Sequence, residues 1–128
     1  MLKMKVAVIL VLLSAVAASL AGCAGEETVS YSESVQPILA ENCLACHQEG
    51  GEGYAASGLS MSTYEELMAG GRFGPMVIPG DAEGSNLVVL MEGRADPSIS
   101  MPHGSMDKMA TRDITTIRTW INQGAKNN

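Results

Sequence analysis

The pentapeptide Cys43-Leu44-Ala45-Cys46-His47 constrains this chain more than any other feature. Two cysteines separated by two residues, with histidine directly after, match the covalent attachment pattern of c-type haem. On one helical turn both sulfurs reach the two vinyl groups along one porphyrin edge. His47 then lies under the ring with an imidazole nitrogen available to iron. Two other readings compete for the same residues. A zinc site could recruit Cys43, Cys46, His103 and His47, but adjacent Cys46 and His47 rarely both reach one tetrahedral ion, and the second paired half of a zinc motif is absent. A redox dithiol calls for a preceding strand in a thioredoxin-like α/β pattern, whereas the segment before Cys43 reads as helix.

Residues 1–22 read as an export signal. Lys3 and Lys5 precede an uncharged stretch, Val6–Leu20, and the small residues Ala21 and Gly22 lead to Cys23. The run Leu20-Ala21-Gly22-Cys23 resembles the bacterial lipobox, in which the cysteine is acylated and becomes the first mature residue. An uncleaved anchor is the competing reading, although the apolar stretch is short for a span. Export agrees with the haem pattern, because covalent haem attachment in bacteria takes place outside the cytoplasm. All three cysteines are then assigned, Cys23 to lipid and Cys43 and Cys46 to haem, with none left for a disulfide.

Residues 23–30 read as a polar tether of about 25 Å, and residues 31–126 as one small domain. Aromatic residues make up only 4% of the chain, so a covalently held macrocycle would supply apolar bulk that the sequence lacks. Without Lys3 and Lys5 the mature part has six basic and fourteen acidic residues, a net charge of −8. That balance argues against nucleic acid as a partner and favours transient docking to positively charged patches on redox proteins.

The periodicity predicts about four helices with long loops, an all-α fold. The first starts at Ser32 or Ser34 and runs to about Cys43, with Val35, Ile38, Leu39 and Asn42 on one face and Pro37 near the first turn. Residues 48–60 read as a glycine-rich loop. The second helix covers Ser62–Ala69, with Ser62 and Glu65 as a capping box and Gly70 or Gly71 at its end. The third covers Ser85–Glu92, with Leu87, Val88, Leu90 and Met91 inward. The last is capped by Thr111, carries Ile114, Ile117 and Ile121 on one face beside Trp120, and stops at Gly124.

With His47 on one side of the iron, the opposite ligand has few candidates. Met101, in Ile99-Ser100-Met101-Pro102-His103, is the leading one, since a thioether opposite histidine favours reduced iron and suits an electron carrier. Met106, Met109 and His103 remain alternatives. Met61, Met68, Met76 and Met91 read as packing residues.

Taken in order, several phrases give a resemblance to a known family. They are Val35-Gln36-Pro37-Ile38-Leu39, the Cys43–His47 motif, Leu59, Tyr64-Glu65-Glu66-Leu67, Ile78-Pro79-Gly80-Asp81 with Ser85 and Leu87, Met101-Pro102, and Trp120-Ile121-Asn122-Gln123-Gly124-Ala125. Over Tyr31–Ala125 the chain resembles a class I cytochrome c domain and is similar to the single-haem domains of the planctomycete-type cytochrome c group. The resemblance implies a haem crevice closed by crossing N- and C-terminal helices, with Met101 as sixth ligand. It implies haem contacts from Leu59, Pro79 and Trp120, a crevice lined by Phe73 or Tyr64, and Arg72 as a partner for a propionate. One departure stands out. Many class I cytochromes place a proline soon after the motif to accept the proximal imidazole N–H, but none occurs here between His47 and Pro75. A backbone carbonyl around Gly58-Leu59 is the expected substitute.

The expected function is electron transfer by one covalent haem c, tethered by lipid to the outer face of a membrane. No enzyme activity and no small-molecule substrate are expected. The alternatives are a haem sensor or ligand binder with a displaceable distal ligand, and a haem subunit of a larger redox complex.

Overall fold

Ser30 opens the first helix, its hydroxyl accepting the Glu33 N–H at 3.2 Å. The computed structural model describes residues 25–103 and 108–128. The helix begins as a π-helical turn, Tyr31–Val35, and continues as α1, Gln36–Asn42. Pro37 supplies the reason for the wide turn. A proline ring crowds the carbonyl four residues back and offers no N–H, and the backbone answers with longer-range bonds. Gln36 N–H reaches Tyr31 O, and Val35 N–H reaches Ser30 O at 3.3 Å.

Four further α-helices follow: α2 (Glu52–Ser57), α3 (Tyr64–Ala69), α4 (Asn86–Met91) and α5 (Thr111–Asn122). Among the described residues there is no strand, only an isolated bridge between Gly71 and Gly74. The all-α architecture agrees with the periodicity, but α2 lies inside the stretch read as loop. Its local signals are Glu52 in the first turn and Gly58 in the left-handed region at the C-cap, φ 68°.

Two caps also differ from expectation. The α3 cap is Thr63, not Ser62; Thr63 accepts the Glu66 N–H at 3.2 Å, while Ser62 takes a bond from the Ser60 hydroxyl. Helix α5 has no side-chain cap. Ala110 holds the N-cap position and Thr111 is already helical, its carbonyl accepting the Thr115 hydroxyl.

The core joins both ends of the chain. Val35 and Leu39 from the first helix, Leu87, Val88 and Met91 from α4, and Ile117, Trp120 and Ile121 from α5 are buried together. Leu90, expected inward, is only half-buried. Tyr31, Tyr64 and Trp120 form an aromatic cluster: Tyr31 meets Tyr64 edge-on at 5.1 Å between centroids and Trp120 at 5.5 Å. The polar tips are used as well, Trp120 Nε1 donating to Lys126 O at 2.9 Å and the Tyr64 hydroxyl to Ala125 O at 2.8 Å. Such pairs add about 0.5–1.5 kcal/mol beyond their area burial.

Outside the core, Arg94 and Arg118 bridge Glu83 and Glu92 in a four-membered ring of ion pairs, 2.7–3.1 Å, that links the 81–84 turn, the end of α4 and α5. Among the described residues no helix is long and apolar enough to cross a membrane.

Candidate functional site

The attachment motif forms the turn that ends α1. Cys43 is its C-cap, its N–H bonded to Leu39 O at 2.9 Å. The Cys43 carbonyl then accepts both the Cys46 N–H at 3.1 Å and the His47 N–H at 3.0 Å. Both thiols and the imidazole are thus held on one hydrogen-bonded turn, with Cys46 exposed and Cys43 packed against the core. The thiols are not bonded to each other. Burial, helped by the neighbouring Cys46, pushes the Cys43 thiol up to about 11.

His47 is buried, 7% exposed, and its Nδ1 is sealed from solvent without a hydrogen-bond partner. Burial lowers the imidazole's proton affinity. The Leu59 backbone opposes that, and the charge of His103 lowers it further. Nδ1 itself makes no hydrogen bond to that backbone. Main-chain bonds fix this arrangement: Met61 N–H donates to His47 O at 2.8 Å, which lays the 58–61 strip beside the motif.

The 101–103 segment carries the expected distal ligand, Met101, and His103, whose charge is felt at His47. That segment is anchored, with Met101 N–H donating to Leu90 O at 3.2 Å and Asp96 capping the preceding turn through the Ser98 N–H and hydroxyl. Met101 is half-buried and His103 exposed, whereas Met109 is buried in the core. Cys23 and Met106 lie outside the described residues.

Of the remaining expected contacts, Leu59 lies on the strip held beside the motif by Met61 N–H to His47 O. Trp120, 1% exposed, sits against Tyr31, at the opposite end of the first helix from Cys43. Pro79 is exposed in a turn tied to α5 by Gly80 N–H to Ile121 O, 2.7 Å. The Arg72 guanidinium donates to Ala55 O and so caps α2. Phe73 is 83% exposed.

Sequence reasoning missed Gly51 and Gly53. A Cβ on Gly53 would stand 2.8 Å from Cε1 and 2.9 Å from Nε2 of His47, and one on Gly51 would collide with the Cys46 carbonyl. Only glycine lets α2 lie this close to the imidazole. The signal was available, since glycines crowded just after a chemical motif mark close backbone approach.

The residues fit a c-type haem. Two unpaired thiols share a turn with a buried imidazole whose sealed nitrogen has no hydrogen-bond partner. Among the described residues no three of His, Cys, Asp and Glu gather as a metal cluster. Helical fold and attachment turn together define a haem-binding c-type cytochrome domain. The family model of planctomycete cytochrome C matches residues 43–104, and that part of the chain is similar to the family. The match runs from the attachment motif through Met101-Pro102. No curated protein and no solved structure matches the chain.

Proposed function

We propose that this protein is a single-haem electron carrier, exported and lipid-anchored through Cys23, with His47 and Met101 as axial ligands. The observation that carries the reading is the attachment turn itself, with Cys43, Cys46 and a buried His47 on one hydrogen-bonded turn. Haem c, bound through both thiols, would supply a one-electron Fe(II)/Fe(III) couple.

The chain's own contribution is to hold and shield. His47 would give one nitrogen to iron, and Gly53 lets α2 pack closely against the ring and so fix its orientation. Met101 approaches from a loop anchored at Leu90, and a thioether there favours the reduced state. Partners are redox proteins met over small interfaces that the net acidic charge helps to steer. The sequence of residues 1–23 supports export and acylation, to the periplasmic side or the cell surface.

Carbon monoxide tests the reading against a sensor or ligand binder. A carrier with a fixed sixth ligand stays low-spin in both oxidation states and takes up the gas poorly. A high-spin protein that binds it readily would overturn the proposal.

A further inference from the structure

The residues leading into the first helix are bound chain. Gln123 holds them twice, its Oε1 accepting the Val29 N–H at 2.8 Å and its Nε2 donating to Glu27 O at 3.0 Å. Asn128 continues the pairing. Its Oδ1 accepts the Tyr31 N–H at 2.9 Å, its backbone oxygen accepts the Ser32 N–H at 3.0 Å, and its Nδ2 donates to Val29 O at 3.3 Å. From Glu27 onward the segment read as tether is clasped to the residues that follow α5.

We propose that the clasped end of the domain is its bilayer-facing surface, held on a phospholipid membrane so that the attachment turn points away from it. The inference rests on the lipid-anchor reading of Cys23. Only residues 24–26 separate Cys23 from the clasp, a reach of about 14 Å when fully extended, against roughly 28 Å if the chain were free to Tyr31. The first helix, Tyr31–Asn42, then carries the chain about 18 Å along its axis before Cys43. The short linker brings one end of that helix to the membrane, and the helix sets the motif at the other end. Net acidic charge offers no attraction to an anionic bilayer, so the clasp and linker decide the orientation. The haem-attachment face is thereby offered to soluble or peripheral redox domains.

The test uses the full acylated, haem-loaded chain in vesicles of phosphatidylethanolamine and phosphatidylglycerol, with and without a nickel-chelating lipid. Nitroxide labels are placed through Lys126→Cys or Glu49→Cys, the native cysteines being occupied by lipid and haem. The nickel-dependent relaxation at position 126 should exceed that at position 49 by about twofold or more, given the ~18 Å offset. Gln123→Ala should shrink that difference and speed amide exchange at Val29 while vesicle binding persists. Equal relaxation at the two positions, or a stronger effect at 49, overturns the orientation while the anchor reading stands. Wild-type protein that does not stay with the vesicles overturns the anchor reading and the orientation with it, whereas slow exchange at Val29 would still report the clasp.

Discussion

The two ends of the first helix differ in what surrounds their buried polar groups, for each end leaves one without a partner, the Tyr31 hydroxyl at one and His47 Nδ1 at the other. At the Tyr31 end three aromatic rings pack together, the tips of Trp120 and Tyr64 have backbone partners, and Gln123 and Asn128 bind the incoming chain. At the Cys43 end a buried imidazole nitrogen has no hydrogen-bond partner, Cys46 is exposed, and the 71–74 turn offers Phe73 to solvent. A buried polar atom without a partner costs about 1–3 kcal/mol, and each end bears that cost once. What sets the Cys43 end apart is its chemistry, two free thiols on one turn with a buried imidazole.

That contrast can be broken by mutation. Trp120→Ala should have the largest effect, a loss of about 3–5 kcal/mol in denaturant unfolding of the loaded protein. The haem spectrum below the transition should be nearly unchanged. A large spectral change would place Trp120 at the haem and erase the distinction between the two ends. Gly53→Ala should behave oppositely. Overpacking against the imidazole costs about 1–3 kcal/mol, and displacement of the ring should shift the optical and electron paramagnetic resonance signatures of the axial ligand set. Unfolding and spectra that match wild type would show that α2 does not set the imidazole.

The smallest effect concerns the ion-pair ring. The hydrogen bond from Arg118, with the charge of Arg94, holds the Glu83 carboxyl below its ordinary range. A carboxyl lowered on folding adds stability that is fully present above its unfolded value and is lost as pH falls through the folded one. Stability should therefore decline modestly in acid below the ordinary carboxylate range. Glu83→Gln should flatten that decline, and an unchanged pH profile would remove Glu83 from the account. The ring is exposed, so high salt should weaken it too.

Much of the scaffold was legible because hydrophobic periodicity reports burial directly. Val35 and Leu39, Leu87 and Val88, and Ile117 and Ile121 are buried as their spacing implied. Helix α2 was illegible because its glycines carry a propensity penalty that tertiary contact overrides; Gly51 and Gly53 are there for close approach. The Thr63 cap competes with a serine one position earlier, and local chemistry does not separate them. The clasp pairs residues 94–99 positions apart, beyond any local pattern. At the site, the motif announced its own residues, while the expected carbonyl near Gly58-Leu59 makes no hydrogen bond to the buried Nδ1 of His47. The bond from the Arg72 guanidinium to Ala55 O, seventeen residues away, was likewise beyond any local pattern.

The proposal's central claim is that His47 and Met101 would together hold the haem iron. The near-infrared absorption of the oxidised protein tests it most directly, because methionine sulfur on ferric haem gives a weak band there. Wild type and His103→Ala should both show the band, and Met101→Ala should lose it and fall in reduction potential. A wild-type protein without the band, or a Met101→Ala variant that keeps it, would contradict the account.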